Sequence, residues 1–552
     1  MVNRGLKWKN SCIIASIIAV WVISSFIGGF LIYKNANDGL EYPIIPRPLH
    51  VITNSGFFEV TSEFFISVDN SSEKLKETGD YLAEKLRYSM GREIEIKTIP
   101  TTFLNGTLQL ELNLSEDKLG NEGYNLVINE SIILITAQNP KGVFYGIQTL
   151  LQLFPPSIGK LNGLIKEDKI LLPCLQIRDQ PRFSYRGMHL DVARHFFPVS
   201  FIKKYLDLLA LYKYNTFHWH LTDDQGWRVE IKNYSKLTEI GAYRMEGHGN
   251  IYGGYYTQDE IRDILEYAEK RYITIIPEIE MPGHCMAVLA AYPELSCTGG
   301  PYSVPTKWGI YEDVYCAGND EVFEFLETVL LEVIELFPSK YIHIGGDECP
   351  KARWELCPKC QARIMNESLQ NESELQSYFI SQISTFLQAH NRSIIGWNEI
   401  IEGGLAENAT VMAWNSWDAA IAAVRLNHTV IMTPTEHCYF DYYQGDPLTE
   451  PKAIGGYIPL SKVYSFEPIP AELNSEEAKY ILGAQGNLWT EYIETPDHIE
   501  YMCVPRMSAL AEVLWTEQSL KSWNHFKIRL FEHFRLLDSL EVNYSRSSLF
   551  YL

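Results

Sequence analysis

Short apolar runs alternate with long amphipathic stretches from about residue 181 to the end of the chain. This alternation is typical of βα repeats that build a parallel sheet. Helices are predicted between most of the runs, for example over residues 257–271, where Thr257 and Glu260 form a capping box, and over residues 319–337. The runs themselves predict eight strands, at residues 186–192, 215–224, 272–280, 341–348, 393–399, 410–415, 429–435 and 481–489.

Eight βα units predict a (β/α)8 TIM barrel of the α/β class over residues 181–552. The alternative is a doubly wound open sheet, which is disfavoured because no GxGxxG motif follows a strand. Residues 46–180 carry a different, mixed pattern. Segments such as TLQLELN and SIILITAQ predict strands, and the spacing of Leu75, Leu82 and Leu86 predicts a helix. This region is expected to be a small α+β domain that supports the barrel.

Residues 12–33 form an uncharged run of 22 residues, which as a helix would span about 33 Å and match the core of a bilayer. Arg4, Lys7 and Lys9 precede the run, so residues 1–11 are expected to be a cytoplasmic tail. We therefore predict a single-pass transmembrane signal anchor, a linker over residues 34–45, and a catalytic region outside the cell or in a lumen. A cleaved signal peptide is the alternative, and it would leave the protein secreted or lysosomal.

Glycosylation sequons and cysteines also suggest export. The ten cysteines include Cys12 in the apolar run, and the predicted disulfide participants are Cys297 with Cys316 and the cluster Cys349, Cys357 and Cys360. The CxxC at Cys357 and Cys360 could be half of a zinc site, but no second CxxC or CxxH accompanies it in the sequence. Eleven N-x-S/T sequons occur, at Asn70, Asn105, Asn113, Asn129, Asn233, Asn366, Asn371, Asn391, Asn408, Asn427 and Asn543.

Charge narrows the range of partners. The formal net charge of -22 argues against a nucleic-acid partner and against binding to an anionic membrane surface, since both favour clustered Lys and Arg. The 46% content of hydrophobic residues is ample for a large core. An acidic enzyme that acts on neutral substrates fits this balance, and so does a charge that serves solubility alone.

An adjacent pair of acids ends the fourth predicted strand. Residues 341–350 read YIHIGGDECP, so two glycines precede Asp347 and Glu348. Adjacent carboxyl groups can face different environments, and one can stay ionised while the other is protonated. Two carboxyl groups in two protonation states suit glycoside hydrolysis. Alternatively, Asp347 only caps a helix N-terminus.

Acids and aromatic residues follow several predicted strands. In a TIM barrel the C-terminal ends of the strands meet at one mouth, so these residues are expected to lie together. Carboxylates suit sugar hydroxyl groups, and aromatic faces suit the C–H faces of a pyranose or an acetyl methyl group. They are Asp191, Asp223, Asp224, Glu278, Glu280, His284, Asp347, Glu348, Trp397, Glu399, Trp414, Tyr439, Asp441, Trp489 and Glu491.

A metal-dependent hydrolase is the competing interpretation. His218, His220, His284 and His343, with nearby carboxylates, could form a metal centre. However, metal-dependent hydrolase barrels usually carry their paired histidines on the first strand, whereas His218 and His220 lie on the second predicted strand. In addition, no lysine ends a predicted strand, where it could bridge two metal ions.

With these residues collected, the sequence resembles the β-N-acetylhexosaminidases of glycoside hydrolase family 20. The segments that carry the resemblance appear in family order and span the barrel. They are YRGMHLDVARHFFP (185–198), FHWHLTDDQGWRVEI (217–231), PEIEMPGH (277–284), HIGGDE (343–348), GWNE (396–399), YFD (439–441) and GNLWTEY (486–492).

The resemblance implies substrate-assisted catalysis, in which the 2-acetamido oxygen of the sugar attacks the anomeric carbon. Glu348 would be the general acid and base, Asp347 would hold the acetamido N–H as an anion, and Tyr439 would orient the acetamido oxygen. Trp397, Trp414 and Trp489 would wall the acetyl pocket, although Trp417 lies close to Trp414 in the sequence. The other residues with implied roles are Arg186, Asp441 and Glu491, which would bind ring hydroxyl groups, and Asp191 with His284, which would form a relay that tunes the acid.

The implied substrates are glycans with terminal, non-reducing β-linked GlcNAc or GalNAc. The implied reaction needs no metal and no organic cofactor, and a homodimer is common in the family. A non-catalytic sugar-binding protein on the same fold is the second hypothesis, which the presence of Glu348 disfavours.

Overall fold

The computed structural model describes residues 42–69, 72–98, 105–113, 119–159 and 169–546. The predicted anchor at residues 12–33 and the tail before it lie outside these ranges. Among the helices that can be described, none is both long and apolar enough to cross a membrane.

The first domain is built on one mixed sheet of seven strands with the order β1-β7-β5-β6-β4-β2-β3. Helices Glu73–Met90 and Pro140–Leu151 belong to the same domain, in agreement with the predicted α+β class. The strands are β1 (His50–Val60), β2 (Phe65–Val68), β3 (Ile96–Thr98), β4 (Thr107–Leu112), β5 (Tyr124–Ile128), β6 (Ile132–Ala137) and β7 (Ile170–Asp179).

The predicted barrel is confirmed, because eight parallel strands close into a ring in which β19 pairs with β8. Two small hairpins, β10 (Thr222–Asp223) with β11 (Gly226–Trp227) and β12 (Tyr243–Glu246) with β13 (Asn250–Gly253), extend the loop after β9. The barrel strands are β8 (Tyr185–Asp191), β9 (Thr216–His220), β14 (Thr274–Met281), β15 (Tyr341–Gly345), β16 (Ser393–Trp397), β17 (Thr410–Ala413), β18 (Val430–Met432) and β19 (Ile481–Gly486).

Helices surround the barrel as the amphipathic stretches predict. The capping box of Thr257 and Glu260 is present at the start of Gln258–Glu269. The α-helices after the first domain are Val199–Leu211, Lys236–Glu239, Gln258–Glu269, Met286–Ala291, Asp320–Leu336, Ala352–Leu356, Pro358–Asn366, Glu372–Ala389, Trp417–Arg425, Thr435–Cys438, Leu460–Ser465, Pro496–Cys503, Arg506–Trp515 and Trp523–Ser539. Short 3-10 helices are Pro156–Gly159, Gly247–Gly249, Pro293–Leu295, Asn398–Ile401, Glu477–Tyr480 and Gln518–Leu520.

Buried polar contacts join the two domains. Asp179 at the end of β7 accepts hydrogen bonds from Tyr124 at 2.7 Å, from Lys213 at 3.0 Å and from the Trp515 indole at 3.0 Å. Asp179 and Lys213 are fully buried, so each charge depends on the other for compensation. The first domain therefore supports the barrel through matched polar groups as well as apolar packing.

The predicted disulfides are not present. No disulfide joins any of the nine cysteines within the described ranges, so all nine are free thiols in this structure. Cys349 lies apart and makes its sulfur contact with the carbonyl of Pro350 at 3.9 Å. The other four predicted participants, Cys297, Cys316, Cys357 and Cys360, lie together as a cluster of sulfur atoms.

Candidate active site

A two-glycine turn at the end of β15 presents the adjacent acids. Gly345 and Gly346 have φ values of +67° and +93°, which end the strand sooner than the sequence pattern predicts. A Cβ on Gly345 would lie 1.7 Å from a carboxyl oxygen of Glu280, and the positive φ would strain any other residue, so glycine is favoured there. Glu348 itself has a left-handed φ of +47°, which is costly for a residue with a side chain. The turn thus directs two successive carboxyl groups into different surroundings.

Asp347 faces inwards and Glu348 faces the mouth of the barrel. The Asp347 side chain is 13% exposed, whereas that of Glu348 is 35% exposed. Oδ1 of Asp347 is buried and has no hydrogen-bond partner among the described residues. Burial, together with the charges of Glu399, Glu278 and Glu348, raises the pKa of Asp347 to about 7 although His284 lowers it. The family resemblance implies that Asp347 is ionised during catalysis. A hydrogen-bond donor, such as the amide N–H of a bound substrate, would favour that ionised form.

His284 links these acids to a second pair of carboxylates. Its Nε2 lies 3.5 Å from Glu348 and 3.7 Å from Asp347. Its Nδ1 lies 3.1 Å from Asp224 and 3.4 Å from Asp223. Burial lowers the pKa of His284, but the charge of Asp223 and the hydrogen bonds to its carboxylate neighbours outweigh burial and raise that pKa well above the ordinary value. The site therefore holds an imidazolium between two pairs of carboxyl groups.

The prediction that Asp191 forms a relay with His284 is wrong. Asp191 accepts hydrogen bonds from the backbone N–H groups of Ala193 at 2.8 Å, Arg194 at 3.0 Å and Thr490 at 3.1 Å, so it orders the turn after β8. The strand order explains why: β14, which leads to His284, pairs with β9 and β15, whereas β8 lies beyond β9. The carboxylates next to His284 accordingly come from the loop after β9.

The prediction that Arg186 binds sugar hydroxyl groups is also contradicted. Arg186 lies near the N-terminal end of β8, at the opposite end of the strand from the mouth, and is 1% exposed. Its guanidinium donates to Glu122 of the first domain at 2.7 Å, and also to the carbonyl of Phe183 at 2.8 Å and that of Lys213 at 2.9 Å. Arg186 is therefore part of the interface between the two domains.

Arg194 is a second cation at the mouth, and the sequence analysis did not single it out. Its guanidinium lies 2.8 Å from Asp223 and 3.3 Å from Asp191, and its centre is 5.0 Å from the ring of Trp489. Arg194 follows Asp191 by three residues, immediately after the C-terminal end of β8. Because barrel active sites form at C-terminal strand ends, this position could have distinguished Arg194 from Arg186.

Aromatic side chains form one wall of the mouth. The rings of Trp397 and Trp489 are 5.7 Å apart, and Trp414 stacks on Tyr439 at 6.0 Å with 23° between the ring planes. Trp417 instead donates to Glu436 at 2.6 Å and contacts Phe466, so Trp414 is the member of this pair that belongs to the wall. Burial raises the pKa of Tyr439 well above the ordinary value, which keeps its phenol a neutral O–H donor.

Two further carboxyl groups offer unpaired oxygens. Oδ1 of Asp441 and Oε2 of Glu491 are buried without a hydrogen-bond partner among the described residues. Burial raises the pKa of both groups. Unpaired buried acceptors are costly, so ligand hydroxyl donors are the natural partners for them.

Three of the four histidines in the metal interpretation, His218, His220 and His343, converge on the carboxylate of Glu278. Glu278 accepts from the Trp397 indole at 2.9 Å and is hydrogen-bonded to His220. Its carboxyl oxygens also lie 2.9 Å from Nε2 of His218 and 2.7 Å from Nδ1 of His343, which itself accepts from the Gly345 N–H. These contacts have hydrogen-bond lengths and orient the floor of the site. Nearer the mouth, His284 with Asp223 and Asp224, or with Asp347 and Glu348, brings N and O atoms close enough together to hold a divalent cation.

Comparison with known proteins agrees with this geometry. The model for the catalytic domain of glycosyl hydrolase family 20 matches residues 183–518, and the model for domain 2 of that family matches residues 41–180. The chain is 48% identical to a beta-hexosaminidase of Porphyromonas gingivalis, over 91% of this chain and 64% of that protein, so it spans less than two thirds of that relative. It is 36% identical to a beta-hexosaminidase of Vibrio furnissii, over 86% of this chain and 77% of the other.

A solved structure shows the same architecture. The exo beta-N-acetylglucosaminidase from Vibrio harveyi, crystallised in complex with N-acetylglucosamine, has a TM-score of 0.80 and 33% identity. The match covers 92% of this chain and 78% of that one. Together with the two family models, which match successive regions of the chain, this shows that the chain belongs to glycosyl hydrolase family 20.

Proposed function

We propose that the chain is an exo-acting β-N-acetylhexosaminidase that removes terminal, non-reducing β-linked GlcNAc or GalNAc from oligosaccharides and glycoconjugates. The observation that carries this proposal is the arrangement of Asp347 and Glu348. Asp347 presents a buried oxygen that has no hydrogen-bond partner among the described residues, and Glu348 lies at the mouth where a leaving group and water can reach it. The Vibrio harveyi relative, which was crystallised with N-acetylglucosamine, supports the same substrate class.

The proposed mechanism follows from these positions. The acetamido oxygen of the substrate attacks the anomeric carbon as the bond to the leaving oxygen breaks, and Glu348 gives its proton to that oxygen. Asp347 accepts the acetamido N–H and stabilises the positive charge of the oxazolinium intermediate. Tyr439 donates to the acetamido oxygen and so aims it. Glu348 then takes a proton from water, which attacks the same carbon and restores the acetamido group with retention of configuration.

Binding of the sugar ring is assigned to the remaining groups at the mouth. Trp397, Trp414 and Trp489 would enclose the acetyl group, and Asp441 and Glu491 would accept ring hydroxyl donors. Arg194 takes the place first given to Arg186, and the pair Asp223 and Asp224 takes the place first given to Asp191 beside His284. As proposed, the chemistry needs no metal and no organic cofactor.

Release of the chromophore from an aryl β-N-acetylglucosaminide tests the proposal. We expect hydrolysis that persists in EDTA and that fails on the matching β-glucoside, which lacks the acetamido nucleophile. Activity abolished by EDTA and restored by a divalent cation would favour the metal-dependent alternative at His284. Binding of GlcNAc without hydrolysis would favour the non-catalytic sugar-binding hypothesis.

A matched pair of arginine substitutions separates the mouth from the domain interface. We expect Arg194→Lys to lower kcat/KM by about 10- to 100-fold, because lysine cannot reproduce a guanidinium shared between two carboxylates. We expect Arg186→Lys to leave kcat/KM nearly unchanged and to lower the free energy of unfolding by about 1–3 kcal/mol. Kinetics and denaturant unfolding of both variants provide the check. Loss of kcat/KM with unchanged stability in Arg186→Lys would contradict this assignment.

The cellular setting is proposed from sequence features. Residues 12–33 would tether the catalytic domain to a membrane, and alkaline carbonate extraction tests this. Sequon asparagines such as Asn366, Asn371 and Asn408 are exposed, so they are available for glycosylation, which an endoglycosidase mobility shift tests. A homodimer is likewise a proposal, for which light scattering gives the mass in solution.

A further inference from the structure

We propose that Cys297, Cys316, Cys357 and Cys360 form a structural zinc site. The sulfur of Cys316 lies 3.7 Å from that of Cys357 and 3.7 Å from that of Cys360, and the sulfur of Cys297 lies 3.8 Å from that of Cys360. All four sulfur atoms lie within 4.8 Å of one another. A tetrahedron of thiolates with Zn–S bonds of about 2.3 Å has edges of about 3.8 Å, so the spacing matches a single shared ion.

The local backbone is shaped to bring the four sulfurs together. Cys357 precedes helix Pro358–Asn366, and Cys360 lies in its first turn, where the helix dipole favours thiolates. A Cβ on Gly318 would lie 2.2 Å from the carbonyl carbon of Lys359 and 2.4 Å from the nitrogen of Cys360. Only glycine therefore allows the loop that carries Cys316 to approach this turn.

Burial suits a metal centre more than four independent thiols. Cys316, Cys357 and Cys360 are at most 5% exposed, and Cys297 is half-buried. The four ligands come from three separate segments of the chain, which is why neither a second CxxC nor a CxxH was visible in the sequence. A tetrahedral S4 donor set favours zinc or iron among the common metals. Zinc fits better than iron because the site would hold segments of the chain together without redox chemistry.

The site joins the segment that follows His284 to the segment that supplies Asp347 and Glu348. Cys297 and Cys316 flank a long loop, residues 298–315, which comes after β14 and His284 in the chain. Cys357 and Cys360 belong to the segment after β15, which presents Asp347 and Glu348. The loops also meet where Arg353 contacts Asp313 at 2.9 Å and where the Trp354 indole donates to the Tyr315 carbonyl at 2.8 Å.

Loop 298–315 reaches the rim of the mouth. The Gln225 amide donates to the Lys307 carbonyl at 2.9 Å, and Trp308 packs against His195 with ring centres 5.6 Å apart. Gln225 in turn accepts from Arg194 at 3.2 Å. Zinc at the base of loop 298–315 would therefore fix the position of this loop at the mouth. This consequence rests on the proposed function, whereas the presence of the metal does not.

The competing state of the same residues is a pair of disulfides, which an oxidising compartment would favour. Formation of Cys297–Cys360 and Cys316–Cys357 would require each sulfur pair to close to about 2.0 Å. Cys316 is as near to Cys360 as to Cys357, which no set of two disulfides can use. The near-equal spacing points to an ion shared by all four thiolates.

Metal analysis of the full chain, purified without added metal or chelator, tests the inference. We expect about one zinc ion per chain in the wild-type protein. Both Cys316→Ser and Cys297→Ser should lose this zinc, and Cys297→Ser should disturb the fold less because Cys297 is only half-buried. Cys438→Ser is the control, since this buried cysteine lies outside the cluster and its loss should leave the zinc content unchanged. Cobalt exchanged into the wild-type protein should show thiolate charge-transfer absorption that Cys297→Ser lacks.

Thiol titration of the denatured chain in chelator distinguishes the alternatives. The zinc form should react at all ten cysteines, whereas the two-disulfide form should react at six. Absence of metal with six thiols would overturn the proposal in favour of disulfides, and stoichiometric iron would overturn the identity of the ion. Zinc retained in both serine variants would place it elsewhere. None of these readouts depends on hydrolysis, so they are independent of the proposed activity.

Discussion

Glu348→Gln is expected to lower kcat on an aryl β-N-acetylglucosaminide by about 10²- to 10⁴-fold, with little change in KM. The glutamine amide keeps the shape of the side chain but can neither give a proton to the leaving oxygen nor take one from water. Glu348 is the carboxyl that is 35% exposed at the mouth, where both partners can reach it. Initial rates across a range of substrate concentrations separate kcat from KM.

A second substrate with a better leaving group provides a control for Glu348→Gln. A dinitrophenyl leaving group departs without a proton, so the loss in the step that forms the intermediate should shrink on that substrate. Glu402→Gln, which alters an exposed carboxyl nearby in the barrel, should leave the rates unchanged. Equal loss on both substrates together with a lower thermal midpoint would indicate misfolding, and an unchanged kcat would exclude Glu348 as the acid.

Asp347→Asn is expected to lower kcat/KM at neutral pH by about 10²- to 10³-fold. The buried Oδ1 of Asp347 has no partner among the described residues, and in the proposed complex it accepts the acetamido N–H. Asparagine is a weaker acceptor and carries no charge, so the positive oxazolinium loses its counter-ion. The variant should lose no further activity towards a β-glucoside, which has no acetamido group to orient.

The pH profile supplies a second readout for the same carboxyl. Burial raises the pKa of Asp347 to about 7, which is above the ordinary value of 3.8. Below that pH the free enzyme holds a proton on Asp347 and cannot accept the acetamido N–H as an anion. We therefore expect kcat/KM of the wild-type protein to fall as pH drops below about 7, and this acidic limb to be absent in Asp347→Asn. The same limb in both proteins would assign it to another group.

The adjacency of the two acids allowed the sequence to predict their common location. Asp347 and Glu348 are adjacent in sequence, so no long-range contact is needed to place both at one strand end. Their difference in exposure depends on the glycines before them, which the sequence displays, and on the left-handed backbone at Glu348, which only the structure shows. What the motif could not supply is the pKa of Asp347, because burial and the charges of Glu278 and Glu399 come from other segments of the chain.

The hydrophobic pattern by itself determined the eight strands and the barrel, because strands buried on both faces leave continuous apolar runs in the sequence. It also placed Tyr439, Trp397 and Trp489, since each lies at or shortly after a predicted strand. Only the tertiary structure decided which carboxylates lie beside His284, because that depends on β9 rather than β8 being the neighbour of β14. It likewise placed Arg186 at the domain interface and gathered four cysteines from three segments. Contacts between distant segments are set by packing, and the local pattern of a chain does not record them.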